Sequence, residues 1–304
     1  MRLRVGCRFE HEASTPTAAI ALVEPHFDSW DGQLPRGEKP GAIVEERWST
    51  ESSGEHSMGS TSFVDVYGNR CRRLVLPEGF STFSYDALVT VSPDPDAVPG
   101  PDDVQHRIEA LPDELLHWLL ASRLCESDLL SERAWDLFGG TEPGFARVQA
   151  VCDWIHTNIE YGVTSVQSTA TVEVFERRGG MCRDFAHLGV TLCRALGIPA
   201  RYVFGYMPDI GIPGPYPPMD FHAWFEVWLG SSWWTFDARF NTPRIGRVPI
   251  GRGRDAIDVA MVTTYGVASL KRMVVWSDEV ADDAVLTAEP LVPTSAGAGE
   301  TVDR

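Results

Sequence analysis

Apolar and polar residues alternate in LRVGCRFEHEA, in the two short runs of TSFVDVYGNRCRRLVLPEG on either side of Gly68-Asn69, and in FSTFSYDALVTVS. A period of two places one face of a strand inward, and the Gly and Pro punctuation keeps each strand short. Residues 1–97 are therefore expected to form a small β-sandwich. Within them, residues 27–60 are weakly patterned and read as loop-rich. SPDPDAVPGPDD then carries four prolines in twelve residues, which marks a linker or long turn. Beyond it the spacing changes to threes and fours. DDVQHRIEALPDELLHWLLASRLC reads as helical, as does FARVQAVCDWIHTNIEY with Val148, Val151, Trp154, Ile155 and Ile159 on one face.

The most informative stretch is RRGGMCRDFAHLGVTLCRALGIPARYVFGY, residues 177–206. Gly179-Gly180 signals a turn, and Phe185, Leu188, Gly189, Leu192, Cys193 and Leu196 then line one face of a helix that stops at Gly197. Cys182 falls in its first turn. Free backbone N–H groups and the positive end of the helix dipole favour a thiolate there, beside Arg183. Cys193 lies mid-helix on the apolar face and reads as an inert core thiol. FHAWFEVWLG then alternates as a strand, with His222, Trp224, Glu226 and Trp228 on one face. A turn at Gly230-Ser231-Ser232 leads into WWTFDARF. If Leu229 pairs with Ser232, His222 sits diagonal to Asp237 on the same face, within reach of a carboxylate–imidazole hydrogen bond. A thiolate nucleophile needs a base, and the base an orienting acid. Each residue alone has a plain structural reading: a buried helix-start thiol, a hydrogen-bonded core histidine, a turn acid. Together they compose a Cys-His-Asp set.

Composition narrows the class. The chain has 304 residues, a net charge of -17 and only two lysines, Lys39 and Lys271, among 26 basic residues. Nucleic acid and anionic membranes are poor partners for such a surface. Residues 151–270 carry 10 basic and 11 acidic side chains, so the candidate catalytic segment is almost neutral inside an acidic protein. The longest apolar stretches fall well short of the roughly 20 residues of a spanning helix. MRLRVGCRFEHEA lacks an apolar signal core, and six irregularly spaced cysteines suggest neither a disulfide framework nor a zinc site. A cytoplasmic protein with reduced thiols is expected.

GGMCRDFAHLGVTLCRALGIPARYVFGY, DFHAWFEVWL and WWTFDARFN together resemble the transglutaminase-like superfamily, in particular its bacterial cysteine-protease group. GRGRDAIDVAMV resembles a further motif of that group, and DVYGNRCRRLVLPEGFSTFSYDALVTV resembles its N-terminal β-domain. The resemblance implies an α+β fold: a papain-like core with a nucleophile helix on an antiparallel sheet, preceded by the β-sandwich. It implies Cys182 as nucleophile, His222 as base and Asp237 as its orienting acid. One departure stands out. The family's D-P-T-N appears here as Asp237-Ala238-Arg239-Phe240-Asn241. The domains expected are 1–97 (β-sandwich), 98–285 (catalytic) and 286–304 (a disordered tail).

The chemistry implied is acyl transfer through a thioester on a peptide or isopeptide-like amide, finished by water or an amine. No cofactor, metal or calcium requirement is expected: Cys182 and His187 lie five apart, on different faces of a helix. An arylamine N-acetyltransferase-like enzyme and a catalytically silent binding module on the same fold are the alternatives. GYMPDIGIPGPYPPMD, leading into the His222 strand, reads as a rim loop or an irregular connection. Trp224, Trp228, Trp233 and Trp234 could line an acyl groove or belong to the core. Arg201 is expected to pair with a carboxylate. The sequence sets neither the oligomeric state nor a second oxyanion donor beside the Cys182 N–H.

Overall fold

The computed structural model describes residues 1–27, 41–53, 58–215 and 217–287. The first six strands are β1 (Arg2–Ala13), β2 (Thr17–Ala21), β3 (Ala42–Ser52), β4 (Ser60–Val64), β5 (Arg70–Leu76) and β6 (Gly79–Thr90). Four short helices and six further strands follow: α1 (Ser131–Phe138), α2 (Phe145–Asn158), β7 (Glu160–Tyr161), α3 (Thr171–Arg177), β8 (Gly179–Gly180), α4 (Cys182–Ala195), β9 (Ala200–Tyr206), β10 (His222–Leu229), β11 (Ser232–Phe236) and β12 (Val248–Gly253). The chain then returns through β13 (Val262–Tyr265) and β14 (Ala268–Val280).

Three four-stranded sheets result, in the orders β14-β1-β6-β3, β13-β2-β5-β4 and β11-β10-β9-β12, all with antiparallel neighbours. The fold is thus α+β, with an N-terminal β-rich region and a helix-on-sheet core. In β1 the apolar residues Leu3, Val5, Cys7 and Phe9 recur at every second position and are all buried, with Arg4 and Gly6 between them buried too. Within the span expected as catalytic, 98–285, β13 and β14 hydrogen-bond to β2 and β1 and so join the N-terminal sheets. Of the expected tail, 288–304 lies outside the described residues. Its first two residues are anchored: Leu286 is buried and Thr287 accepts a hydrogen bond from Arg4.

Two expectations fail for physical reasons. The 27–60 stretch contains the eleven-residue strand β3, an edge strand with no buried residue, so no alternation marks it. Residues 28–40 and 54–57 of that stretch lie outside the described residues. The helical reading of 102–125 gives way to two 3-10 turns, Ile108–Ala110 and Asp113–Leu119. Pro112 interrupts any longer helix, and Leu111, Leu115 and Trp118 pack instead on Trp228 and Trp233.

The β-rich region braces the third sheet. Asn69 donates to the Arg252 carbonyl and accepts from the Arg252 N–H, Tyr206 donates to the Val23 carbonyl at 2.7 Å, and Phe9 stacks on Phe221. On the sheet's other side, α4 lies against β10 and β9. Gly189 permits the close approach, since a Cβ there would meet the Phe225 ring at 2.4 Å.

Candidate active site

Cys182 opens α4 and has part of its surface exposed. The turn before it is fixed by Asp184, a fully buried carboxylate that accepts from the Met181 N–H at 2.8 Å, from the Ser165 hydroxyl at 2.5 Å and from Arg183 at 3.2 Å. A Cβ on Gly180 would strike the Asp184 side chain at 2.6 Å, so the glycine is required by the packing of this acid. Its positioning role went unread in the sequence, although Cys-Arg-Asp was in plain view. The Cys182 N–H has no partner among the described residues, as expected of a first-turn donor, and can donate to a developing oxyanion.

His222 begins β10. Leu229 pairs with Ser232, which is the register expected, and it carries Asp237 to the imidazole: His222 Nε2 donates to Asp237 Oδ2 at 2.7 Å. A carboxylate only accepts, so this bond places the proton on Nε2 and leaves the lone pair on Nδ1. The Arg239 Nη1 donor, 3.4 Å from Nδ1, requires the same tautomer. Asp237 is held from three further sides. Its Oδ1 accepts the N–H groups of Arg239 and Phe240, and its Oδ2 accepts from Arg247, which also grips Asp96 at 2.8 Å. The turn altered from D-P-T-N therefore still caps the acid. Asn241, in the left-handed region at φ 52°, ties that turn to Asp153 of α2. Neither Arg247 nor Asp96 was singled out in the sequence; they are far from the motif and meet only in the fold.

Electrostatics set the resting protonation. Burial alone would raise Asp237, but His222 and Arg247 outweigh it and hold the carboxyl well below its usual range. Burial lowers His222 below the ordinary histidine value, partly countered by Asp237. The thiol departs from expectation: burial pushes Cys182 up to about 11, although the nearby Ala223 N–H and Arg239 favour its ionised form. The helix start does not by itself offset desolvation. Both shifts favour the uncharged forms of the thiol and the imidazole. Cys193 is fully buried and pushed up by burial, in keeping with an inert core thiol.

The remaining candidates resolve simply. Arg201 pairs with Glu226 at 2.5 Å, and Arg252 joins from β12 at 3.1 Å. Trp224, Trp228, Trp233 and Trp234 are all buried core residues, at most 5% exposed, and line no open groove. Trp224 stacks beside His222 and under Arg247. His187 accepts the Ala256 N–H and faces Tyr202. The 207–220 connection contains no helix or strand, with Tyr216 outside the described residues.

The family model for the transglutaminase-like superfamily matches residues 132–238, from α1 to just past β11, a span that includes Cys182, His222 and Asp237. A provisionally assigned cysteine protease from Cytophaga hutchinsonii is similar over almost the whole chain: 30% identity, 94% of this chain and 92% of that one, TM-score 0.74. The chain belongs to the transglutaminase-like superfamily. Among curated relatives, this transglutaminase-like chain is 35% identical over 118 residues to an uncharacterized protein of Mycobacterium leprae, a match covering 37% of this chain and 42% of that one. It is 29% identical over 215 residues to an uncharacterized protein of Mycobacterium tuberculosis, covering 64% of this chain and 68% of that one. No helix among the described residues is long and apolar enough to cross a membrane.

Proposed function

We propose that this transglutaminase-like protein is a cysteine enzyme that transfers the acyl group of a peptide or isopeptide-like amide, with Cys182 as nucleophile, His222 as base and Asp237 as the orienting acid. The observation that carries the reading is the 2.7 Å contact of His222 Nε2 with Asp237, which leaves the lone pair on Nδ1, while the Cys182 sulfur is met by the N–H of Ala223, the next residue on β10. His222 Nδ1 takes the Cys182 proton as Sγ attacks the carbonyl carbon. The oxyanion forms at the Cys182 N–H. The imidazolium, stabilised by Asp237, then protonates the leaving amine as the C–N bond breaks, and a thioester remains. Water, deprotonated by the same nitrogen, releases the acid and restores the thiol; an amine in its place would give transamidation. Hydrolysis is favoured because no amine site is visible among the described residues. The substrate is taken to be a peptide or protein amide, with no role for nucleic acid or membrane. The six free cysteines fit a reducing compartment such as the cytoplasm.

The decisive experiment is alkylation of Cys182 by iodoacetamide against pH, in the wild type and in His222→Ala. With the base intact, the rate should rise as His222 loses its proton, below neutrality. In His222→Ala it should rise only in the alkaline range of the thiol itself, near its raised value of about 11. Identical profiles in the two proteins would overturn the enzyme reading and favour a silent binding module. Acyl transfer from acetyl-coenzyme A to an arylamine would instead move the assignment to the N-acetyltransferase type.

A further inference from the structure

Arg239 lies in the turn that departs from D-P-T-N, and its surroundings are unusual for a guanidinium. It is partly buried and stacks on the Tyr161 ring at 4.0 Å and the Phe240 ring at 4.6 Å. Its head group reaches His222 Nδ1, and its charge is felt at the Cys182 sulfur. Among the described residues it has no carboxylate partner. Other arginines in the vicinity are engaged: Arg247 by Asp96 and Asp237, Arg183 by Asp184 and Ser165, and Arg244 by the Pro208 carbonyl. Asp209 and Asp220 are near enough to influence the site electrostatically, yet neither forms an ion pair with Arg239. A stacked guanidinium keeps its rigid fork of donors while losing little freedom on binding, and such a fork suits a carboxylate.

The geometry points to Arg239 as the residue that selects substrates bearing a carboxylate within a few bonds of the scissile carbonyl. This rests on the acyl-transfer reading above for its consequence, though not for the binding itself. The protein is strongly acidic overall, so an anionic substrate gains nothing from long-range attraction, and its recognition must be local. The substrate carboxylate accepts two charge-assisted hydrogen bonds from Arg239. The long 3.4 Å contact to Nδ1 gives way to them, and the lone pair that Arg239 covered becomes available to the Cys182 proton. Arg239 thus acts as a specificity residue that also links substrate charge to release of the base.

Two alkylating agents of nearly equal size isolate this effect: iodoacetate, which carries a carboxylate, and iodoacetamide, which does not. In both, the Sγ–carbon bond forms as iodide leaves and the thiol proton passes to His222. The full-length protein would be treated with each, and modification of Cys182 followed by peptide mass mapping in the wild type, Arg239→Gln and Arg239→Lys. The iodoacetate-to-iodoacetamide rate ratio should fall about 10- to 100-fold in Arg239→Gln, the range expected for hydrogen bonds to a charged group, and less in Arg239→Lys. Succinate, competing for Arg239, should lower the wild-type iodoacetate-to-iodoacetamide ratio, a readout that needs no variant. A ratio unchanged both in Arg239→Gln and by succinate would overturn the proposal. A ratio that depends on Arg239 while His222→Ala changes neither rate would sink the acyl-transfer reading and leave the anion site standing. Matched amides would then locate the carboxylate: glutamate against glutamine on the acyl side, and a free carboxylate against an amide on the leaving side.

Discussion

The β10–β11 hairpin carries two buried carboxylates that solve the same problem differently. Glu226 sits between Arg201 at 2.5 Å and Arg252 at 3.1 Å; Asp237 sits between His222 at 2.7 Å and Arg247 at 3.1 Å. Burial would raise both acids, and in both the two partners outweigh it and hold the carboxyl low. The first cluster contains only groups that stay charged at any ordinary pH, so its energy is a fixed part of the fold. In the second, one partner is an imidazole whose proton can leave and return. Exchanging a single arginine for a histidine turns a structural ion cluster into one that can do acid–base work.

Substituting each acid should separate the two roles. The largest effect expected is on chemistry, in Asp237→Asn. An amide cannot hold the Nε2–H tautomer reliably or stabilise the imidazolium, and activity should fall by about 10⁴-fold. The protein should still fold, because Arg247 keeps Asp96. Glu226→Gln should behave in the opposite way. Two arginines lose their buried counter-ion, and breaking such a cluster costs about 3–5 kcal/mol. Denaturant unfolding should register that loss, while the rate per folded molecule stays close to wild type. A variant pair in which Glu226→Gln lost as much activity per folded molecule as Asp237→Asn would erase the distinction.

The sequence made one of these clusters legible and hid most of the other supports. His222 and Asp237 share a hairpin, so alternation and the short Gly230 turn were enough to bring them together, and Arg201 and Glu226 are cross-strand neighbours of the same kind. Arg247 and Asp96 enter from segments 10 and 141 residues away from Asp237, and no local periodicity records such a meeting. The raised Cys182 thiol was hidden for a related reason: a helix start is visible in the sequence, but the depth of protein around it is not. β3, α1 and α3 were missed because an exposed edge strand has no buried face and helices of seven or eight residues barely repeat their pattern. The return of β13 and β14 to the N-terminal sheets is a matter of topology, which a strand's own pattern does not encode.

The subtlest test asks whether Arg247 tunes the titratable cluster or only supports it. His222 is lowered first by burial, and the Arg247 charge pushes in the same direction. A base must be neutral to work, so the acid limb of the rate profile should lie below the ordinary histidine value of about 6.5, falling tenfold per unit beneath it. The linkage to stability has the same sign. A histidine lowered by folding contributes fully above its unfolded value, and that contribution is lost as pH falls from there through the folded one. Asp237 and Glu226, held low, add a second loss only at still lower pH, below about 4. Arg247→Gln removes a positive charge beside the imidazole, so the acid limb should move to higher pH, towards the ordinary value. A support without electrostatic influence would lower the rate at every pH and leave the limb in place. The same measurement on Arg252→Gln supplies the contrast: with its charge directed at Glu226, the profile should keep its wild-type position even as the protein becomes easier to unfold.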